Sequence, residues 1–122
     1  MVRKIVLPQQ SWADGITAAT TPTLPIHGRV EQIVVEINDN TGNVTLTLNV
    51  KNSDGAQLYN KAGIPENALT VYSANSEKGT QDADFNAFLA DEICTITCTP
   101  SGDPGDSGMI ADIAFYVTDG QP

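Results

Sequence analysis

From Arg29 to Val50 the apolar side chains fall on alternate positions: Ile33, Val35 and Ile37, then Val44, Leu46, Leu48 and Val50, with Thr45, Thr47 and Asn49 between. A strand sends successive side chains to opposite faces, so each run has one face for a core and one for water. Between the runs lies Asp39-Asn40-Thr41-Gly42-Asn43, whose residues tolerate positive φ and cap their own backbone. The spacing predicts a β-hairpin.

The same period recurs downstream. Asn52-Ser53-Asp54-Gly55 is a turn, after which 56–61 should return antiparallel to 44–50; Leu69 to Ser73 is a further short strand. Ala74 to Ala83 reads as a polar surface loop. Phe85, Phe88 and Leu89 should supply core bulk ahead of a strand from Glu92 to Thr99. The run from Thr99 to Gly108 is turn chemistry throughout, and the closing strand places Met109, Ala111, Ile113, Phe115 and Val117 on one face. No long stretch keeps helical spacing; the best helical candidate is Asp82 to Ala90, one or two turns. Pro8, Pro22 and Pro25 break the period at the start of the chain and push their neighbours toward extended backbone. Residues 1–25 are therefore expected as an extended N-terminal arm, with short strands near 3–7 and 15–19, and residues 26–122 as the domain proper. Roughly seven to nine short strands with turn signals between them predict an all-β, antiparallel two-sheet β-sandwich, jelly-roll or immunoglobulin-like.

At 122 residues the chain suffices for one core without staples. Fifteen acids against six bases give a net charge of −9, which argues against nucleic acid as a partner, because phosphate neutralisation needs clustered Lys and Arg. The bases are uneven: Arg3 and Lys4 lie in an opening stretch without acids. Ile5-Val6-Leu7 before Pro8 is too short for a secretory core, and nothing approaches the ~18 apolar residues of a membrane span. No membrane partner is expected, and synthesis in a reducing cytoplasm is.

The two cysteines, Cys94 and Cys98, lie four apart on one strand, ~13 Å between Cα atoms. A disulfide needs about 7 Å or less, so they cannot pair with each other and should be buried beside Ile96 as small hydrophobes.

Little here carries catalysis. Gly105-Asp106-Ser107-Gly108 looks like a serine-protease nucleophile loop, but Met109 stands where that family has a second Gly, and His27 is the only histidine. A Gly/Asp/Ser turn before the last strand accounts for it. One His and two strand-bound Cys make no zinc set. The acidic turns 39–43, 52–55, 82–84 and 103–106 offer hard oxygens, yet none has the spaced calcium loop with its terminal Glu. No catalytic residue, cofactor or metal is expected, and the chain is read as a non-enzyme.

The order Ile26-His27-Gly28-x-Val30, then Gly42-Asn43-Val44-Thr45-Leu46-Thr47-Leu48, then Asp54-Gly55 with Leu58, resembles small virion proteins of tailed bacteriophages. So does Phe88-Leu89-Ala90 leading into Cys94-Thr95-Ile96-Thr97, with the final Gly102…Ser107-Gly108 turn; the likeness covers about residues 26 to 118. The resemblance implies a β-sandwich module that decorates or cements a capsid, binding the major capsid protein on the outer head surface, often as a homotrimer. Val2, Arg3, Lys4, Ile5 and Trp12 are the candidate partner contacts, as the basic tip and large apolar groups of the arm. Trp12 has a second reading, as part of this chain's own core. The competing function is a tail, fibre or lectin-like module that recognises cell-surface glycan.

Overall fold

The computed structural model describes residues 2–73 and 85–119. The chain is all-β: β1 (Val2–Val6), β2 (Gln10–Trp12), β3 (Thr23–Ile37), β4 (Leu46–Lys51), β5 (Gln57–Ile64), β6 (Ala68–Ser73), β7 (Phe88–Pro100) and β8 (Met109–Thr118). Among the described residues there is no helix. All pairings are antiparallel and run β1-β8-β3-β7-β4-β5, with β2 also on β8 and β6 also on β3.

Two separate facing sheets are the expectation from the strand count; the hydrogen bonds instead pass through β3 without a break. Residues 23–30 of β3 pair with β7, its far half pairs with β6 through 32–37, and its other edge pairs with β8 through 29–37. One residue makes this long strand usable by both halves. Leu24, Ile26 and Val30 are buried at even positions, whereas Ile33, Val35 and Ile37 are buried at odd ones. The register against β8 skips between Val30 and Gln32, leaving Glu31 as an extra residue. A one-residue bulge reverses which side chains face inward, so both halves send their apolar set into the same core. The buried side chains from both halves form one apolar cluster, from Leu24 and Cys98 to Phe115 and Val117.

Residues 2–25 are extended but tied down. All of β1 pairs with β8, β2 pairs with β8 farther along, and Thr20 bridges Cys98. β3 already begins at Thr23. The strand expected near 15–19 is absent; Gly15 turns there at φ 82°.

The predicted 29–50 hairpin does not form. β3 and β4 are not neighbours, since β4 lies between β7 and β5. Alternation states which face is oily, not which strand sits alongside. The turn between them is nevertheless built as its residues suggest. Buried Asn40 accepts from Val44 N at 2.7 Å and donates to Val44 O at 3.2 Å, while Asn43 takes φ 53°. Gly42 N then donates to Pro104 O at 2.8 Å, which carries the chain across to the 101–108 loop.

The 52–55 turn and the return of β5 on β4 match expectation. So does the inward face of β8, where Met109, Ala111, Ile113, Phe115 and Val117 are all buried. Cys94, Ile96 and Cys98 share the inward face of β7, each 0% exposed. The helical candidate is corrected: Phe88 to Ala90 is the start of β7, because Phe88, Ala90 and Cys94 are buried at strand spacing. Leu89, expected in the core, falls on the opposite parity and points out. The predicted 74–83 loop and the turn 82–84 lie outside the described residues.

Candidate interaction surface

Strand β1 shows where the arm residues go. Its inward row runs Ile5–Phe115–Ile33–Tyr72 across β1, β8, β3 and β6, and Ile5 packs against the core. Val2, Lys4 and Val6 have the other parity and lie on the outer surface, with Val2 and Val6 each 60% exposed. Trp12 is 2% exposed and donates its indole N–H to Ala18 O at 2.8 Å. Of its two readings, the structure has it filling this chain's own core. Leu7, beside β1, is buried as well, and its N–H meets Ile113 O at 2.9 Å.

Register brings distant residues onto the outer surface beside the basic tip. Val2 is opposite Thr118, Thr118 opposite Arg29, and Arg29 opposite Leu89. The neighbouring pairs on β3 and β7 are His27 with Asp91 and Pro25 with Ile93. Leu89 is 70% exposed and Ile93 60%, a large apolar area for two side chains in open solvent. Arg3 donates to His27 O at 2.8 Å, which fixes the basic tip against this corner. His27 Nδ1 lies 2.7 Å from Asp91 Oδ1, and Arg29 Nε 3.2 Å from Glu31 Oε2. Exposed pairs of this kind contribute little stability; they orient the side chains. Glu92 is held from the side by Ser53, whose backbone N–H donates at 2.8 Å and whose hydroxyl also donates. Those two donors hold its carboxyl below the usual carboxylate range. A shallow depression of about 610 Å³ opens here, lined by Arg3, His27, Gly28, Leu89, Asp91 and Asp119 among others.

Three of the chain's six bases, Arg3, Lys4 and Arg29, thus gather at one end of an acidic molecule. The sequence reading has the first two and misses Arg29, His27 and Leu89. Leu89 carried a signal: counted back from Cys94, Ile96 and Cys98 it has the wrong parity for the core.

The turns hold no comparable chemistry. Asp103 accepts from Gly15 N at 2.8 Å and Gly105 N at 2.9 Å, and these donors depress its pKa. Asp14 is raised, by desolvation first and then by the charges of Asp103 and Asp106. Ser107 accepts from Thr41 N at 3.1 Å, and Gly108 N closes the turn on Gly105 O at 3.0 Å. Among the described residues no three His, Cys, Asp or Glu side chains are placed to hold a metal ion, and no helix is long and apolar enough to cross a membrane.

No family model and no curated protein sequence matches the chain. Among solved structures it is similar to a chain described as "Structure of infectious bursal disease virus Gx strain", at 8% identity and a TM-score of 0.36. The alignment covers 99% of this chain and 33% of that one, so this chain spans about a third of its length. A score that low carries neither the course of the strands nor a role from one to the other.

Proposed function

We propose that the chain is a structural virion protein that fastens to the outer surface of a tailed-phage head, on the major capsid protein, and braces the junctions between capsomers. This reading takes the two halves of the ladder, hinged at Glu31, as the leaves of a jelly-roll or immunoglobulin-like sandwich. One observation carries the docking surface: solvent-exposed Leu89, Ile93 and Val2 stand beside Arg3, Lys4 and Arg29 on a molecule otherwise dominated by acids. Apolar groups ringed by charge are how stable protein contacts are built, with the charges steering and the apolar centre holding. Resemblance to small phage virion proteins supplies the partner. Many identical weak contacts on one shell then add through avidity.

Removing the whole opening segment is a poor test, because it also strips Leu7 and Trp12 from the core. Point changes are cleaner. Co-sedimentation of the purified chain with heads that lack it should show Leu89→Asp and Arg3→Glu each weakening binding about tenfold or more, with both variants folded as wild type. Undiminished binding by both would remove this corner from the mechanism.

A second reading rests on the outer face of β4, β5 and β7. There Asn49 donates to Gln57 Oε1 at 2.8 Å and Asn60 Oδ1 at 3.1 Å, beside Thr47, Thr97 and Thr99. Amide and hydroxyl ladders of this kind suit glycan hydroxyls, as in a fibre or lectin-like module. Glycan-array binding lost in Asn49→Ala would favour it over shell attachment.

A further inference from the structure

The far end of the outer surface, away from the Leu89 corner, carries a second contact. Val6, Ala114, Val34 and Val71 lie opposite one another across β1, β8, β3 and β6, one unbroken apolar row over four strands. On one side of that row stands Lys4, in the row of Tyr116 and Gln32. On the other side Glu36 is directly opposite Asp112, with Leu69, 59% exposed, next in line. Two acids directly opposite on a sheet repel. Among the described residues Asp112 receives only an amide N–H, from Gln9 at 3.0 Å, and neither acid nor Lys4 makes an ion pair.

We infer that this face binds a second copy of the chain about a two-fold axis, Lys4 of each copy meeting the Glu36–Asp112 pair of the other over the shared apolar row. The face carries its own complement. A two-fold axis lying in the contact plane and running obliquely along the row exchanges the Lys4 side for the acidic side, so each contact is made twice. No other base is needed, and the repulsion between the acids is relieved by a cation the protein already owns. Four strands at ~4.8 Å and about five residues at ~3.3 Å give a face on the order of 300 Å². That is under half the ~800 Å² per partner of a standard stable interface. The dimer should therefore be weak when free, and reinforced only where copies are already held side by side. The contact shares Lys4 with the shell-binding corner, but its apolar row and its acids lie outside that corner, and it does not rest on the shell-binding reading.

Sedimentation velocity of the full chain, from about 10 μM to about 1 mM at about 0.15 M salt, where repulsion between two acidic copies is largely screened, reads the proposal directly. Wild type should pass from monomer to dimer. Leu69→Asp and Lys4→Glu should each shift that midpoint at least tenfold upward, and the triple reversal Lys4→Glu, Glu36→Lys, Asp112→Lys should restore it. Circular dichroism confirms that each variant keeps its strands. A strict monomer throughout, a trimer, or a dimer indifferent to both single changes would overturn the inference. So would a dimer abolished by EDTA but untouched by Lys4→Glu, since a divalent ion would then be bridging the acids. Leu69→Asp should still bind heads; loss of head binding with the dimer intact would instead count against the shell-docking corner.

Discussion

Gly28 shows how closely the strands meet at the point where β3 passes from β7 to β8. Its φ is +138°, and a Cβ there would lie 2.0 Å from the carbonyl oxygen of Thr118. That oxygen is backbone, so it cannot swing aside. Gly28→Ala should lose on the order of 2 to 4 kcal/mol, from strain and overlap together. A urea midpoint equal to wild type would refute this. The Asp14–Asp103 pair titrates in opposite senses. Asp103, with its pKa depressed by two backbone N–H donors, stabilises the fold above the ordinary carboxyl range, and that support is lost as pH falls through its lowered value. Asp14, raised by desolvation and by its acidic neighbours, is a burden at neutral pH that acid relieves. Asp14→Asn should thus melt slightly above wild type at pH 7, with the gap closing toward pH 4. Asp103→Asn should melt below wild type at pH 7, with the gap closing only in stronger acid. Calorimetric scans across that range decide both. Burial pushes the Cys98 thiol up to about 11 and, with Glu92 adding to it, raises Cys94 too. At pH 8 neither cysteine of the native chain should react with a thiol reagent, and both should react once guanidinium unfolds it.

Between elements, what decides the fold is count and register rather than any one side chain. Glu31 is partly exposed and, among the described residues, its carboxylate pairs only with Arg29 at the surface, yet its position in the chain reverses the parity of β3. Glu31→Ala should therefore cost no more than about 0.5 kcal/mol. Deleting Glu31 should turn Ile33, Val35 and Ile37 outward or break the β8 pairing, giving insoluble or unfolded protein. A deletion variant as stable as wild type would contradict the role given to the bulge. Parity was also what the sequence let one read. The inward faces of β4, β7 and β8 and the return of β5 follow from alternation and turn residues alone, because each is a local property. The neighbours of β3 do not, since a strand edge carries the same N–H and C=O groups whichever strand lies beside it. The hairpin between β3 and β4 fails for that reason. Leu89 and the start of β7 were obscured differently: beside Phe85 and Phe88, Leu89 counted as core bulk ahead of the strand, whereas the chain places Phe88 inward and Leu89 outward at strand spacing.

For the molecule as a whole, the legible part of the surface was the basic tip, and the illegible part was its company. Arg29, His27 and Leu89 join Arg3 and Val2 only through the β1-β8-β3-β7 register, which no local pattern encodes. The resulting picture is a −9 protein with a basic and apolar corner and, next to it across Lys4, the face proposed to bind a second copy. High net charge keeps such a chain dispersed until a surface of fitting shape collects it. Attachment should weaken as salt rises, because Arg3, Lys4 and Arg29 lie in solvent where ions screen them. The most direct measurement is the number of copies bound per particle, by quantitative co-sedimentation of labelled chain with heads that lack it. Saturation at hundreds of copies per head, lost in Leu89→Asp, is the outcome expected of a protein that covers a shell. Saturation at a handful, or binding that ignores Leu89, would contradict it.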